Sequence, residues 1–324
     1  MTTSDTPGTV AAGFDFVFTP FGMTRMITVF GSINMDLVAI SDRLPKPGET
    51  VTGKSFSTAA GGKGANQALA ARRAGATVKM AGAIGDDAFA APALTLLRDA
   101  RADLSLVKTV AVPTGTAVIL IGEGGENMIS VIPAANGEVS PEDADRAISD
   151  MASGDILMLQ FEVPADAIEA ALKAAKAKRV TTIINTAPLT SQAQRLSRMA
   201  DIVIANETEF ELLIGKHDLT ADQREKELVL LHDETGQTLI VTLGAEGVIA
   251  IRNGKLVKAK GLKIEPVDTV GAGDTFCGYL AASLDAGLDF EAALRRAAVA
   301  GSLACTRPGA QPSIPIASEV DAKI

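Results

Sequence analysis

What most narrows the choice of fold is a rhythm of short, mostly apolar runs separated by stretches of helical length. Ile27 to Gly31, Val78 to Ala83, Ile156 to Leu159, Val180 to Ile184, Ile202 to Ile204 and Leu239 to Val241 all have strand length and little polar alternation. A strand apolar on both faces must be covered on both, and helices between consecutive strands supply that cover in a mostly parallel sheet. The expectation is an α/β protein, and 324 residues suit one such domain. In open sheets of this kind ligands bind beyond the carboxyl ends of the strands. Polar residues recur just past the predicted strand ends, at Asn34, Glu162, Asn185, Asn206 and Thr242, so that edge is expected to form an active-site crevice.

The stretch Asp268-Thr269-Val270-Gly271-Ala272-Gly273-Asp274-Thr275-Phe276 combines backbone donors, a carboxylate and a helix start. Gly271 and Gly273 permit close backbone approach, and the apolar run from Cys277 to Leu284 reads as a buried helix. A glycine-led helix N-terminus favours an anion, yet Asp274 is itself an anion. The combination makes chemical sense if Asp274 takes a proton from a neutral hydroxyl while the amides hold charge on a transferred phosphoryl group. The plainer alternative, a helix cap with turn glycines, fits this stretch when it is taken alone.

A second glycine-rich helix entrance, Gly61-Gly62-Lys63-Gly64-Ala65-Asn66-Gln67-Ala68, fits neither a P-loop nor a dinucleotide fingerprint, since Gln67 stands where a third glycine is needed. It supplies a cation in Lys63 and an amide in Asn66, which suit a polyhydroxyl ligand. Asn34 and Asp36, two residues apart, can face one ligand together or form an Asx turn. Asn206-Glu207-Thr208-Glu209 offers hard oxygen ligands for Mg²⁺, and equally a helix cap. The segments Ala117 to Ile121 and Met128 to Ile132, joined by a glycine-rich turn, read as a hairpin apolar on both faces, expected to serve as a lid whose outer face meets a partner.

A formal net charge of −9 without a basic run argues against a nucleic-acid surface. Cys277 and Cys305 lack metal spacing and read as buried thiols of a reducing compartment; His217 and His232 lie far from every motif. Residues 1–25 resemble no secretory signal and are expected to be a poorly ordered extension. No apolar run is long enough to span a membrane, and the expected location is the cytoplasm.

Gly31-Ser32-Ile33-Asn34-Met35-Asp36, Gly61 through Ala68, Asn206 through Glu209, Asp268 through Phe276 and Thr306-Arg307-Pro308-Gly309-Ala310-Gln311-Pro312-Ser313 together resemble the signature segments of the ribokinase-like, or phosphofructokinase-B, sugar kinase family. They occur in the family's order, and the likeness runs from about Met26 to the end. It implies a three-layer α/β/α domain over 26–324, with a mostly parallel central sheet and a small β-sheet lid, from about 37–57 and 112–133, that often clasps a homodimer. It implies ATP, Mg²⁺ and K⁺ as cofactors and phosphorylation of the 5-hydroxyl of D-ribose. By position, Asn34, Asp36, Gly62, Lys63, Asn66 and Glu162 would hold the sugar, and Asp274 would be the base above an anion hole of Gly271, Ala272 and Gly273. Asn206 and Glu209 would order Mg²⁺ and its waters; Thr242 and Gly244, with Gly273, would lie along ATP. The Asp268 and Ser313 side chains, with carbonyls of Val270, Ala304, Arg307 and Gly309, would ligate K⁺. Ala134-Ala135-Asn136 departs from the family's common Gly-Ala-Asn, near the lid, which leaves another pentose, a hexose or a nucleoside as the alternative substrate. A non-catalytic binding protein has little use for a base at Asp274, and an oxidoreductase would need a dinucleotide fingerprint after the first strand, which is missing.

Overall fold

The computed structural model describes residues 25–324, so all of the expected extension but Arg25 lies outside the described residues. Thirteen strands are formed among the described residues: β1 (Ile27–Phe30), β2 (Asn34–Ser41), β3 (Gly53–Gly61), β4 (Val78–Gly85), β5 (Asp103–Val110), β6 (Gly115–Ile121), β7 (Asn127–Ile132), β8 (Ile156–Leu159), β9 (Thr181–Asn185), β10 (Ile202–Asn206), β11 (Thr238–Thr242), β12 (Val248–Arg252) and β13 (Lys255–Ala259). Nine of them make one sheet in the order β13-β12-β11-β10-β9-β8-β1-β4-β5, parallel from β11 to β5. The other four make a lid in the order β3-β2-β6-β7.

The continuous apolar strands are buried on both faces, as their composition requires. Val29, Met158, Ile183, Ile204 and Ile240 pack with Ala65, Leu69, Leu280 and Leu294 on one side. Their neighbours Phe30, Leu157, Ile184, Val203 and Leu239 pack with Ile148, Ile168, Leu196 and Leu228 on the other. Alternate side chains of one strand thus feed two cores, giving the α/β/α layering that the family resemblance implied. Among the described residues no helix is long and apolar enough to cross a membrane.

Several elements differ from the sequence reading. After Gly85 the sequence reads as one helix through Arg98; two short ones form instead, Ala90–Ala93 and Thr95–Asp99, which meet at Leu94. β12 and β13 add an antiparallel hairpin at the sheet edge that the strand-helix rhythm did not announce. Its signal was the Asn253-Gly254 pair, with φ of 51° and 72°, a two-residue turn chemistry that closes hairpins. Asn34 and Asp36 lie within the first residues of a lid strand rather than in an Asx turn. Cys277 is buried as expected, but Cys305 is only half-buried.

Candidate active site

β1 lies between β4 and β8, so the chain leaves it toward one side and later returns on the other. The crevice opens at the carboxyl ends of β1 and β8, where Phe30 and Leu159 are in register. Helix Lys63–Arg73 begins just above it from Gly62, which has φ 88° and no side chain with which to cap the helix. Glu162 does that from across the crevice: its Oε2 accepts from the Lys63 amide at 3.0 Å and from Ser32 Oγ at 2.5 Å. Ser32 Oγ also accepts from the Gly64 amide at 3.2 Å. Three segments distant in sequence are thereby tied at one point.

Helix Ala272–Asp285 starts from Gly271, whose φ of 77° favours glycine. It crosses helix Lys63–Arg73 with the backbones nearly touching: a Cβ on Gly278 would lie 2.5 Å from Ala70 Cβ and 2.6 Å from Gln67 O. That approach brings Asp274, one turn earlier, against the start of the other helix. Asn66 Nδ2 donates to Asp274 Oδ2 at 2.9 Å, and Gln67 Nε2 donates to Oδ1 at 3.0 Å. The carboxylate is buried, 6% exposed, yet each oxygen has a donor. The Ala272 amide reaches Thr269 O at 3.3 Å, while those of Gly273 and Asp274 find no protein acceptor among the described residues. First-turn amides of this kind suit an anion.

Asn34 and Asp36 share one face of β2, as strand alternation requires. Asn136 orients the first: its Nδ2 donates to Asn34 Oδ1 at 2.7 Å and to Ile33 O at 3.1 Å, while its Oδ1 accepts from the Ile33 amide at 2.9 Å. Asn34 therefore has its own NH₂ left to offer a ligand. Asp36, 8% exposed, has no hydrogen-bond donor among the described residues. Burial raises its carboxyl to about 7, with further upward contributions from Glu162 and Asp274 and only Lys63 opposing. Lys63 is the counterpart: burial pulls its ammonium down, but Asp274, Glu162 and Glu209 outweigh that and hold it above the ordinary lysine value. The Cys277 thiol beneath Asp274 is pushed well up by burial, with Asp274 adding to the effect, so it is an inert neighbour.

On the nucleotide side of the expected site, Asn206 and Thr242 are in register at the ends of β10 and β11, with Gly244 in the turn that follows. Asn206 and Glu209 form a reciprocal cap: Asn206 Oδ1 accepts from the Glu209 amide at 2.8 Å, and Glu209 Oε2 from the Asn206 amide at 3.0 Å. Thr186 Oγ1 donates to that same Oε2 at 2.9 Å. The capping role weighed from sequence is therefore real. It uses one oxygen of Glu209 and leaves Oε1 without a donor among the described residues, which fits a Mg²⁺ shared with phosphates and waters. Among the described residues no cluster of three or more His, Cys, Asp or Glu could hold a metal by itself.

The fold also joins the two segments expected to hold a monovalent cation. Asp268 Oδ1 accepts from the Val270 amide at 3.0 Å and Oδ2 from the Gly309 amide at 2.8 Å, while Cys305 O accepts from the Val267 amide at 2.8 Å. Ser313 is fully buried, its Oγ donating to Ala310 O at 2.8 Å. The donor set is all oxygen with one carboxylate, which suits a hard cation of low charge. Arg307, whose side chain pairs with Glu319, has only its carbonyl to offer. A cleft of about 630 Å³ opens at the opposite edge, at the amino ends of β9, β10 and β11, and none of these residues line it.

Sequence reasoning missed Ser32, Asn136 and Thr186 as partners, and Gln67 as a contact of Asp274. Each is an ordinary polar residue until the fold supplies its mate.

Known proteins match this chain along nearly all of its described length. Residues 24–317 match the model of the pfkB family carbohydrate kinases. The chain is 36% identical to a ribokinase of Haemophilus influenzae over 298 residues, covering 92% of this chain and 97% of that protein. It is 33% identical to a deoxyribokinase of Salmonella typhi over 291 residues, covering 89% and 95%. The structure of Arabidopsis thaliana ribokinase complexed with ribose and ATP superposes with a TM-score of 0.84 at 32% identity, covering 92% of this chain and 98% of that one.

Proposed function

The chain belongs to the pfkB family of carbohydrate kinases, and on that premise we propose that it transfers the γ-phosphoryl group of ATP to the 5-hydroxyl of D-ribose. The observation that carries the reading is Asp274: a buried carboxylate with both oxygens held, at a helix start whose next free donors are backbone amides.

In this reading Asn34 donates to a sugar oxygen, because Asn136 occupies its own acceptor, while Asp36 accepts from sugar hydroxyls. Lys63, Asn66, Glu162 and the Gly62 backbone complete the sugar site. Asp274 takes the proton of the 5-hydroxyl as the new O–P bond forms and the bond from phosphorus to the leaving ADP oxygen breaks. The amides of Gly271, Ala272 and Gly273, joined by that of Asp274, stabilise charge on the transferred group; Ala272 gives up its long bond to Thr269 O to do so. Mg²⁺, when bound, neutralises phosphate charge, and Asn206 and Glu209 would order it and its waters while Thr242, Gly244 and Gly273 flank ATP. K⁺ would be held by Asp268 and Ser313 with the carbonyls of Val270, Ala304, Arg307 and Gly309, bracing the loop that carries the amides. The ribokinase relatives, and the bound ribose and ATP of the Arabidopsis protein, support the sugar and nucleotide assignments.

The test is ADP release with Mg²⁺ across ribose, 2-deoxyribose, fructose, tagatose and adenosine, in potassium and in sodium buffer. Turnover is expected with ribose, and faster in potassium. The similarity to deoxyribokinases makes 2-deoxyribose the second reading, and preference for it would move the substrate while leaving the kinase. Equal rates in the two salts would count against the cation site.

A further inference from the structure

Behind Asp274 lies a pair of buried amides, Gln67 of the glycine-rich helix entrance and Gln160 just past β8, to which the proposed reaction gives no role. Gln67 is 1% exposed and Gln160 is fully buried, and the Nε2 of each is taken by a protein acceptor. Their connection has a forced direction. A carboxylate needs donors, so Gln67 presents Nε2 to Asp274 Oδ1 at 3.0 Å; its Oε1 then accepts from Gln160 Nε2 at 2.9 Å. The Gln160 Oε1 that ends the chain has no donor among the described residues and lies against Gly31, where a Cβ would come within 1.9 Å of it. Gln67 Nε2 also lies 3.4 Å from Asn185 Oδ1 at the end of β9.

Stability alone does not explain this choice of residues. Apolar side chains of similar volume would fill the same space without burying an acceptor that nothing satisfies. The unfavourable group sits two links behind the base, at the end of the chain. Asn66, which holds Oδ2, is assigned to the sugar side, so Oδ1 is the oxygen anchored to the protein interior.

We propose that Gln160 and Gln67 form a two-member positioning chain that fixes the Asp274 carboxylate through Oδ1 and so sets the rate of proton removal, a role that rests on Asp274 being the base. Neither is a catalytic residue, since neither touches substrate. The chain makes an order of effects. Gln67 acts on Asp274 directly, and Gln160 acts only through Gln67.

The experiment compares Gln67→Met, Gln160→Met, the double variant and Asp274→Asn by steady-state kinetics, calorimetric ribose affinity and thermal melting. Gln67→Met is expected to lower kcat about tenfold, the scale of one hydrogen bond to a charged group, with ribose affinity within about twofold of the parent. Gln160→Met is expected to cost about threefold in kcat, and the double variant no more than Gln67→Met alone, because the effects share one path. Melting temperature should follow a different order: Gln160→Met falls because Gln67 Oε1 is stranded, Gln67→Met falls further because Asp274 Oδ1 loses its donor and Gln160 Nε2 its acceptor, and the double variant lies above Gln67→Met because the stranded Gln160 amide is gone. The double variant carries the test if either single variant fails to fold. Additive losses in kcat, or affinity falling in step with kcat, would overturn the chain and leave a structural role. An inactive Asp274→Asn beside an unimpaired Gln67→Met sinks the chain alone, whereas a fully active Asp274→Asn removes the base assignment and the chain with it.

Discussion

Asp36 is a carboxyl group held where its charged form is disfavoured, by burial first and then by Glu162 and Asp274, and raised to about 7 from 3.8. A sugar hydroxyl is a donor, so the form wanted for binding is the ionised one. Ribose affinity is therefore expected to fall as pH drops below about 7, approaching tenfold per unit, with a proton released on binding at pH 6. Calorimetry in two buffers of different ionisation enthalpy measures that proton directly, and buffer-independent heats would contradict it. Stability without sugar runs the other way. Between the ordinary carboxyl value and about 7 the folded state binds a proton that the unfolded chain does not, so this contribution is full at acid pH and is lost as pH rises through about 7. Asp36→Asn should accordingly raise the melting temperature at pH 8 more than at pH 5 while abolishing tight sugar binding. The same gain at both pH values would show that the group does not titrate in this window.

The element that makes the site is the crossing of helices Lys63–Arg73 and Ala272–Asp285, and its hinge point is Gly278. A methyl group there meets Ala70 Cβ at 2.5 Å and two backbone atoms, Gln67 O and Ala71 N, at 2.6 Å, none of which can swing aside. Gly278→Ala must push the helices apart, at a cost of about 1–3 kcal/mol, the usual range for overpacking. Separation also lengthens both bonds to Asp274, so kcat should fall with stability. Gly273→Ala, whose added methyl meets nothing within 4 Å at a helical position, should not lower urea stability. Unchanged stability in Gly278→Ala would mean the helices have room to spare. The same crossing explains what could be read from the sequence. Strands were legible because a buried strand is nearly all apolar, and Gly271, Lys63, Asn66 and Asp274 stood out because glycines beside polar groups at a helix start are unusual. Gln67, Gln160 and Asn136 were not, because a single polar side chain carries no mark of a partner 207, 93 or 102 residues away. Ala134 stood out only as a departure from a family pattern; its φ of 44° gives the physical reason a glycine is common there.

At the scale of the whole molecule the lid is the part that a lone chain leaves unfinished. β7 is exposed along its whole length and forms one free edge of the lid, and its sequence from Asn127 to Ile132 contains no charged residue or proline to blunt that edge. The register with β6 puts Met128 and Ile132 on the face opposite Asp36, beside Val118, and Phe56 of β3 shares that face; they are 54%, 42%, 37% and 67% exposed. An apolar edge strand of this kind is a surface that another strand or sheet covers. A second copy of the chain, clasping lid to lid, is the occupant we propose, because the patch has no charge for a polar partner to read and a symmetric contact lets each lid cover the other. Sedimentation at micromolar concentration should then give twice the 33.3 kDa chain mass, and Met128→Lys/Ile132→Lys should give a monomer. The substituted side chains point away from the sugar and out of both cores, so the melting temperature of the main domain should hold. The free lid of the monomer must be ordered at the expense of sugar binding, so KM for ribose should rise several-fold with kcat changed less. A parent protein that sediments as a monomer, or a charged variant that remains a dimer, would place the contact elsewhere and leave the exposed strand to close over the sugar within a single chain.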